Sequence, residues 1–173
     1  MTGWVYWCTG LSGSGKSTVT HAAAQRLAAL GRQLQIIDGD DVRNKLHRHL
    51  GFSRTDILEN NRLIAEMCAK ARDDVDLVLV PIISPFYEGR SLARDTIGAD
   101  FRLIYFSAPL QHVEAADVKG LYKKARRGEI PNMIGVDEAT PYEPPWDADL
   151  GIDISSETEQ YSADRLTKFI LSD

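Results

Sequence analysis

Gly10, Gly15, Lys16 and Ser17 stand in the spacing G-x-x-x-x-G-K-S within "GLSGSGKST". Each residue type has a job in holding phosphate. The glycines let backbone N–H groups turn inward around oxygens, Lys16 brings a cation to the outer phosphates, and Ser17 offers a hydroxyl to magnesium. The helix that should follow points its positive end at the anion. Gly10, Ser12, Gly13, Ser14, Gly15, Lys16, Ser17 and Thr18 are therefore the expected contacts of a nucleoside triphosphate with Mg2+. A second cluster lies in "IIDGDDVR". Asp38 and Asp40 are one residue apart. One can hold a magnesium-bound water, and one can take a proton from an attacking hydroxyl. Arg43 follows, suited to a second anion. A blander reading of "DGD" is a solvated turn whose carboxylates cap a helix.

These groups need elements to place them. "WVYWCTG" reads as a buried strand running into the glycine loop, and residues 16–30 as a helix stopped by Gly31. "QLQIID" is a second strand that carries the carboxylates at its carboxyl end, where open α/β sheets bind ligands. "DVRNKLHRHLGF" suggests a short helix and loop. "SRTDILENNRLIAEMCAKARDD" is a longer amphipathic helix, with Ser53 as cap and Asp56 near its positive end. "DLVLVPII", "FRLIYFS" and "ADLGIDIS" are further strands, and "SPFYEGRSLARDTIG" and "SADRLTKFILSD" further helices. Strands alternating with helices predict a three-layer α/β fold of the P-loop NTPase kind, a mostly parallel sheet with helices on both faces. Residues 1–173 are expected to be one P-loop domain, with a lid at about 110–146. Residues 109–146 read as irregular, basic and rich in Gly and Pro, and so long a connection suits a lid.

Composition narrows the function. The net charge of −5 speaks against a nucleic-acid partner, so the basic run Lys119, Lys123, Lys124, Arg126 and Arg127 must act locally. A basic cover over bound phosphates fits phosphoryl transfer, which rests on positioning and charge neutralisation. It would also keep water out. No apolar run is long enough to span a membrane. The start "MTGWVYWC" lacks the basic residues of a secretory signal. Cys8 and Cys68 are expected to be reduced, partly buried thiols in a cytoplasmic protein. His21, His47, His49 and His112 show no metal-ligand spacing and are read as surface or structural, with His47 and His49 unable to share a helix face.

The segments "GLSGSGKST", "DGDDVR", "LGFS", "ENNRLIAEM", "ISPF", "KGLYKKARRGEI" and "PYEPP", in this order, carry a resemblance. The chain resembles the adenylylsulfate kinases, which use MgATP to phosphorylate the 3′-hydroxyl of adenosine 5′-phosphosulfate. The resemblance covers Trp4 to about Ile154. It implies an acidic pair, Asp38 and Asp40, near the transferred phosphate, with Asp38 and Ser17 on the metal. It implies that Arg43 meets the acceptor's anionic group, that Phe52 stacks on its base, and that Asn60 makes a polar contact. Ile83 and Ser84 lie in the family's "ISP" segment beside the reacting phosphate. Lys119, with Gly120, Leu121 and Tyr122, matches the lid segment whose lysine neutralises charge. The resemblance also implies a homodimer.

Five positions depart from the family pattern. Ile57 and Tyr87 stand where arginines are usual, Met133 where a phenylalanine closes over the base, Ala116 for an arginine and Asp41 for an asparagine. Ile57 and Met133 both fall on the acceptor side. A lost arginine removes a charge-assisted contact worth ~1.5–3 kcal/mol. The main expectation is that the chain phosphorylates adenosine 5′-phosphosulfate with altered or weaker contacts; the competing one is a related nucleotide acceptor such as a cytidine diphosphoramidate. Two readings from other classes stand beside these: a non-catalytic nucleotide-binding paralogue, and a nucleic-acid kinase, which would need an electropositive track beyond the lid.

Overall fold

The computed structural model describes residues 2–173. Five strands form one sheet in the order β2-β3-β1-β4-β5: β1 (Trp4–Thr9), β2 (Leu34–Ile36), β3 (Leu77–Pro81), β4 (Phe101–Ser107) and β5 (Leu150–Asp153). Every pairing is parallel. Parallel strands are covered on both faces, and β1 shows it. Val5 and Trp7 point to one side, where they pack with Ile64 and Cys68 of α3 (Arg54–Ala71) and Ala93 and Ile97 of α4 (Tyr87–Ile97). Tyr6 and Cys8 point to the other, against Val19, Ala23 and Leu27 of α1 (Lys16–Ala29) and Leu166 and Ile170 of α7 (Glu159–Ser172). This alternation follows from the two-residue period of a strand. The three-layer α/β expectation holds.

Helix starts follow local chemistry. Ser53 caps α3 by accepting from the Asp56 N–H, and Thr158 caps α7 from Tyr161 N–H, a turn earlier than the sequence reading placed that helix. The stretch 109–146 is less irregular than its composition suggests. It holds α5 (Leu110–Ala116) and α6 (Leu121–Arg126). Both are short, so their signal is lost among flanking Pro and Gly residues. The stretch packs down through two apolar clusters. Leu11, Val113, Tyr122 and Met133 join the lid to the glycine loop, and Ile57, Phe86 and Ile134 join it to α3 and the start of α4.

Cys8 and Cys68 are fully buried rather than partly so, and burial pushes both thiols up to about 12. Thiols held protonated in this way are poor nucleophiles. Among the described residues, no helix is long and apolar enough to cross a membrane.

The sheet order places β1 beside β3, while the chain leaves β1 toward α1 on one face and β3 toward α4 on the other. Where connections diverge in this way, a crevice opens at the carboxyl ends of the strands. Residues 10–15 and 82–86 form its two lips.

Candidate active site

The glycine loop joins β1 to α1 without a side-chain cap, and the first turn of α1 carries no acidic residue. The unpaired N–H groups of that turn are left for an anion. Lys16 Nζ donates to the carbonyls of Gly10 (2.8 Å) and Leu11 (2.7 Å) and to Ser14 Oγ (3.3 Å). Lys16 is buried, and that burial lowers its pKa to about 8, against the opposing pull of Asp40. A consequence is testable. Bound phosphate favours the ammonium form and raises its pKa, so nucleotide binding takes up a proton above about pH 8. ATP affinity is expected to be flat near pH 7 and to fall by about tenfold per unit above pH 8. Calorimetry at several pH values and in two buffers reads both the affinity and the proton uptake; an affinity constant from pH 7 to 9 contradicts this.

Asp38 caps a helix, as the blander reading of "DGD" expects, and also reaches the glycine loop. Its Oδ1 caps α2 (Gly39–Lys45) by accepting from the N–H groups of Asp40 (2.9 Å) and Asp41 (3.3 Å). Its Oδ2 accepts from Ser17 Oγ at 2.9 Å, which closes the acidic turn onto the glycine loop. Gly39 is required by contact. A Cβ there would sit 2.8 Å from Ile82 Cγ1 and 3.3 Å from its Cα. Gly39→Ala is expected to destabilise the fold by about 1–3 kcal/mol. It should also lower turnover, because Asp38 and Asp40 flank the displaced residue. Thermal unfolding and steady-state rates check this; a mutant with native melting and turnover refutes it.

Two cavities meet in the crevice. The smaller, about 160 Å3, lies over Gly13, Gly15, Lys16, Ser17 and Thr18. The larger, about 460 Å3, is lined by Arg43, Phe52, Ile57, Asn60, Ser84, Leu121, Met133 and Ile134, among others. Ser12, Asp40, Ile82, Ile83 and Lys119 line both. On this shared wall Lys119 Nζ donates to Asp40 Oδ2 at 2.6 Å.

Each expected acceptor residue has a definite setting. Arg43 stacks its guanidinium 4.5 Å over the Phe52 ring and donates to Gly51 O at 2.6 Å. Burial lowers the Arg43 pKa. Asn60 is buried, with Oδ1 2.8 Å from His47 Nδ1. Ser84 is buried with φ of 42°, a left-handed conformation that non-glycine residues rarely adopt. A network holds it there. Asn61 Nδ2 donates to its Oγ (3.1 Å), while Arg90 (2.9 Å) and Thr9 Oγ1 (3.2 Å) donate to its carbonyl. Thr9 also donates to Ile83 O, so the Tyr142 hydroxyl is the donor in its 3.0 Å contact with Thr9. Sequence reasoning missed Thr9, Asn61, Arg90 and Tyr142. One signal was present: Asn60 and Asn61 lie on the same face of α3 as Ile57 and Ile64, and amides on a core face need partners.

The lid places Lys119 between two left-handed residues, Asp117 (φ 30°) and Gly120 (φ 67°). Asp117 carboxylate oxygens accept from the N–H groups of Tyr122 and Lys123 and so start α6. The Tyr122 hydroxyl donates to Ser12 O at 2.8 Å and pins α6 to the glycine loop. Of the five cations grouped in the sequence, Lys119 lies on the shared wall. Lys123, Arg126 and Arg127 line a separate outer groove, where Arg126 pairs with Glu114, and Arg127 pairs with Glu129.

Comparison with known proteins fits this geometry. The family profile described as adenylylsulphate kinase matches residues 2–153. The chain is 42% identical over 167 residues to the adenylyl-sulfate kinase of Bacillus licheniformis, covering 96% of this chain and 84% of that one. The chain belongs to the adenylylsulphate kinase family. It is also 43% identical over 160 residues to the adenylyl-sulfate kinase of Rippkaea orientalis, covering 92% and 87% of the two chains. Its fold superposes on the Mycobacterium tuberculosis APS kinase CysC, solved in complex with AMPPNP and APS, with a TM-score of 0.93, 39% identity and 99% of each chain covered.

Set against other adenylylsulphate kinases, the five departures separate by place. Ile57 and Met133 line the larger cavity. Ile57 is only 3% exposed and sits in the apolar cluster with Phe86 and Ile134. Tyr87 stacks on the exposed Trp146 ring at 6.3 Å, Asp41 pairs with Lys45 at 3.0 Å, and Ala116 ends α5. His47 and His49 lie in the turn after α2, not on a helix, with their rings edge-on at 6.4 Å.

Proposed function

We propose that this chain transfers the γ-phosphoryl group of ATP to the 3′-hydroxyl of adenosine 5′-phosphosulfate, giving the 3′-phosphorylated product and ADP. It is a phosphotransferase with an alcohol group as acceptor. The observation that carries this reading is the shared wall: Asp40 and Lys119 touch at 2.6 Å where the phosphate-loop cavity meets the larger one. A donor in one cavity and an acceptor in the other would face each other across these two side chains.

The roles follow from position. Lys16 and the uncapped start of α1 bind the triphosphate. Ser17 and Asp38, oxygen donors already in contact, suit Mg2+, which takes few protein ligands beside phosphate oxygens. Magnesium, when bound, would supply charge neutralisation at the phosphates. Asp40 orients the acceptor hydroxyl and takes its proton as the oxygen–phosphorus bond forms and the bond to ADP breaks. Lys119 neutralises charge on the moving group. Arg43, Phe52 and Asn60 hold the acceptor, with Ile83, Ser84, Gly120 and Leu121 shaping the junction. The resemblance supports a homodimer, which light scattering tests, and the two free thiols support a cytoplasmic setting. A coupled ADP assay with adenosine 5′-phosphosulfate and a panel of nucleotides tests the reaction; if none raises ADP release above background, the reading fails.

One observation favours a second acceptor. With Ile57 packed into an apolar cluster, Arg43 is the arginine that lines the acceptor cavity. A nucleotide with a less anionic group on its 5′-phosphate, such as a cytidine diphosphoramidate, needs fewer cations. Turnover of the native chain and of Ile57→Arg on adenosine 5′-phosphosulfate separates the two. Low native turnover with a large gain in the mutant favours the second acceptor; good native turnover favours the first.

A further inference from the structure

His47 stands outside every role assigned so far and does not line the larger cavity, yet one of its atoms touches a residue that does. Its Nδ1 lies 2.8 Å from Asn60 Oδ1, and both side chains are buried. Asn60 lines the larger cavity. An amide oxygen carries no proton, so His47 Nδ1 must carry one and donate it. That contact fixes the amide. With its oxygen held toward His47, Asn60 presents its NH2 group in the remaining direction, and no described residue accepts from that nitrogen.

We propose that His47 is a positioning residue for acceptor recognition: by holding Asn60 Oδ1 it makes the Asn60 NH2 the group that faces the cavity, so the acceptor base must offer a lone-pair atom there. This rests on the reading of the larger cavity as the acceptor site. The surroundings give His47 the rigidity for the task. Its N–H donates to Val42 O (3.2 Å) and its carbonyl accepts from Leu50 N–H (3.0 Å), which builds it into the turn that ends α2. The same turn supplies the carbonyls of Leu50 and Gly51 that hold Arg43. His47 thus ties α2, which carries Asp40 and Arg43, to the acceptor face of α3. A nitrogen and an oxygen of similar shape occupy the two ends of an amide. Without His47 either end can face the ligand, and selectivity for a lone pair is lost.

The test uses the full chain with adenosine 5′-phosphosulfate and analogues in which one ring nitrogen of the base is replaced by carbon. Binding is measured by calorimetry for the native protein, His47→Leu and His47→Gln. The native protein is expected to lose roughly tenfold in affinity for one analogue. In His47→Leu the parent acceptor should bind roughly tenfold more weakly, and the penalty for the analogue should shrink to under about threefold. His47→Gln, which keeps a donor, should restore most of the discrimination, and ATP affinity should stay the same in all three. If His47→Leu discriminates among the analogues as the native protein does, the proposal is wrong. Nitrogen NMR of the native protein, followed into alkaline buffer, gives an answer that needs no ligand and no mutant. A neutral His47 protonated at Nδ1 upholds the fixed amide, and one protonated at Nε2 overturns it. Should the native chain fail to bind adenosine 5′-phosphosulfate, the acceptor assignment falls, and the tautomer alone decides the role of His47.

Discussion

Asp40→Asn is expected to lower turnover by roughly 10²–10⁴-fold, the usual share of a positioned general base. The substitution keeps the shape and removes the charge and the proton site. Asp40 is held in place independently of that charge, by the Asp38 cap on its N–H at 2.9 Å and by the close seating of Gly39 on Ile82. The loss should therefore appear in kcat and not in folding. ATP binding should change little at pH 7. Above that pH it should weaken more than in the native protein, because Asp40 is the charge that most opposes the lowering of the Lys16 pKa. Steady-state rates at pH 7 with a melting curve suffice as a check. A mutant within about threefold of native turnover would remove Asp40 from the chemistry.

Lys119→Ala should cost roughly 10²–10³-fold in kcat, the magnitude found when one donor to a developing charge is removed. The ion pair with Asp40 is about half exposed on both sides, with 53% and 57% of the side chains accessible. Such a pair contributes about 0–1 kcal/mol to stability, so the melting temperature should hardly move. That contrast distinguishes a catalytic lysine from a structural one. Lys119→Arg, which keeps the charge but not its point geometry, should recover part of the rate. If Lys119→Ala melts several degrees lower and keeps its turnover, the lysine only fastens the lid.

The donor side was largely legible in the sequence. Gly10 to Thr18 are consecutive, and a phosphate loop is a local object: a strand end, a tight turn and a helix start. The strands and long helices were legible for the same reason, since their periods repeat within a few residues. Asp38 and Asp40 stood out at a strand end, and the resemblance supplied Lys119, Ser84 and the residues proposed to hold the acceptor. The short helices α5 and α6 were hidden by the Gly and Pro around them. The supports of the site were hidden for another reason. Thr9, Asn61, Arg90 and Tyr142 come from four separate segments, and no spacing along the chain announces that the first three converge on Ser84 while Tyr142 bonds Thr9 behind it.

By itself the sequence determined that this chain has a parallel α/β sheet, a triphosphate loop and the residue types of a kinase, because each is written in neighbours along the chain. Only the tertiary structure decided how the two cavities meet. The order β3-β1 opens the crevice, Lys119 reaches Asp40 across 79 positions of sequence, and Ile57, on the wall of the larger cavity, packs with Phe86 and Ile134. These are contacts between distant segments, fixed by sheet order and side-chain packing. His47 shows the same limit at close range: its spacing predicts no ligand role, and only the folded turn after α2 brings its ring nitrogen to Asn60.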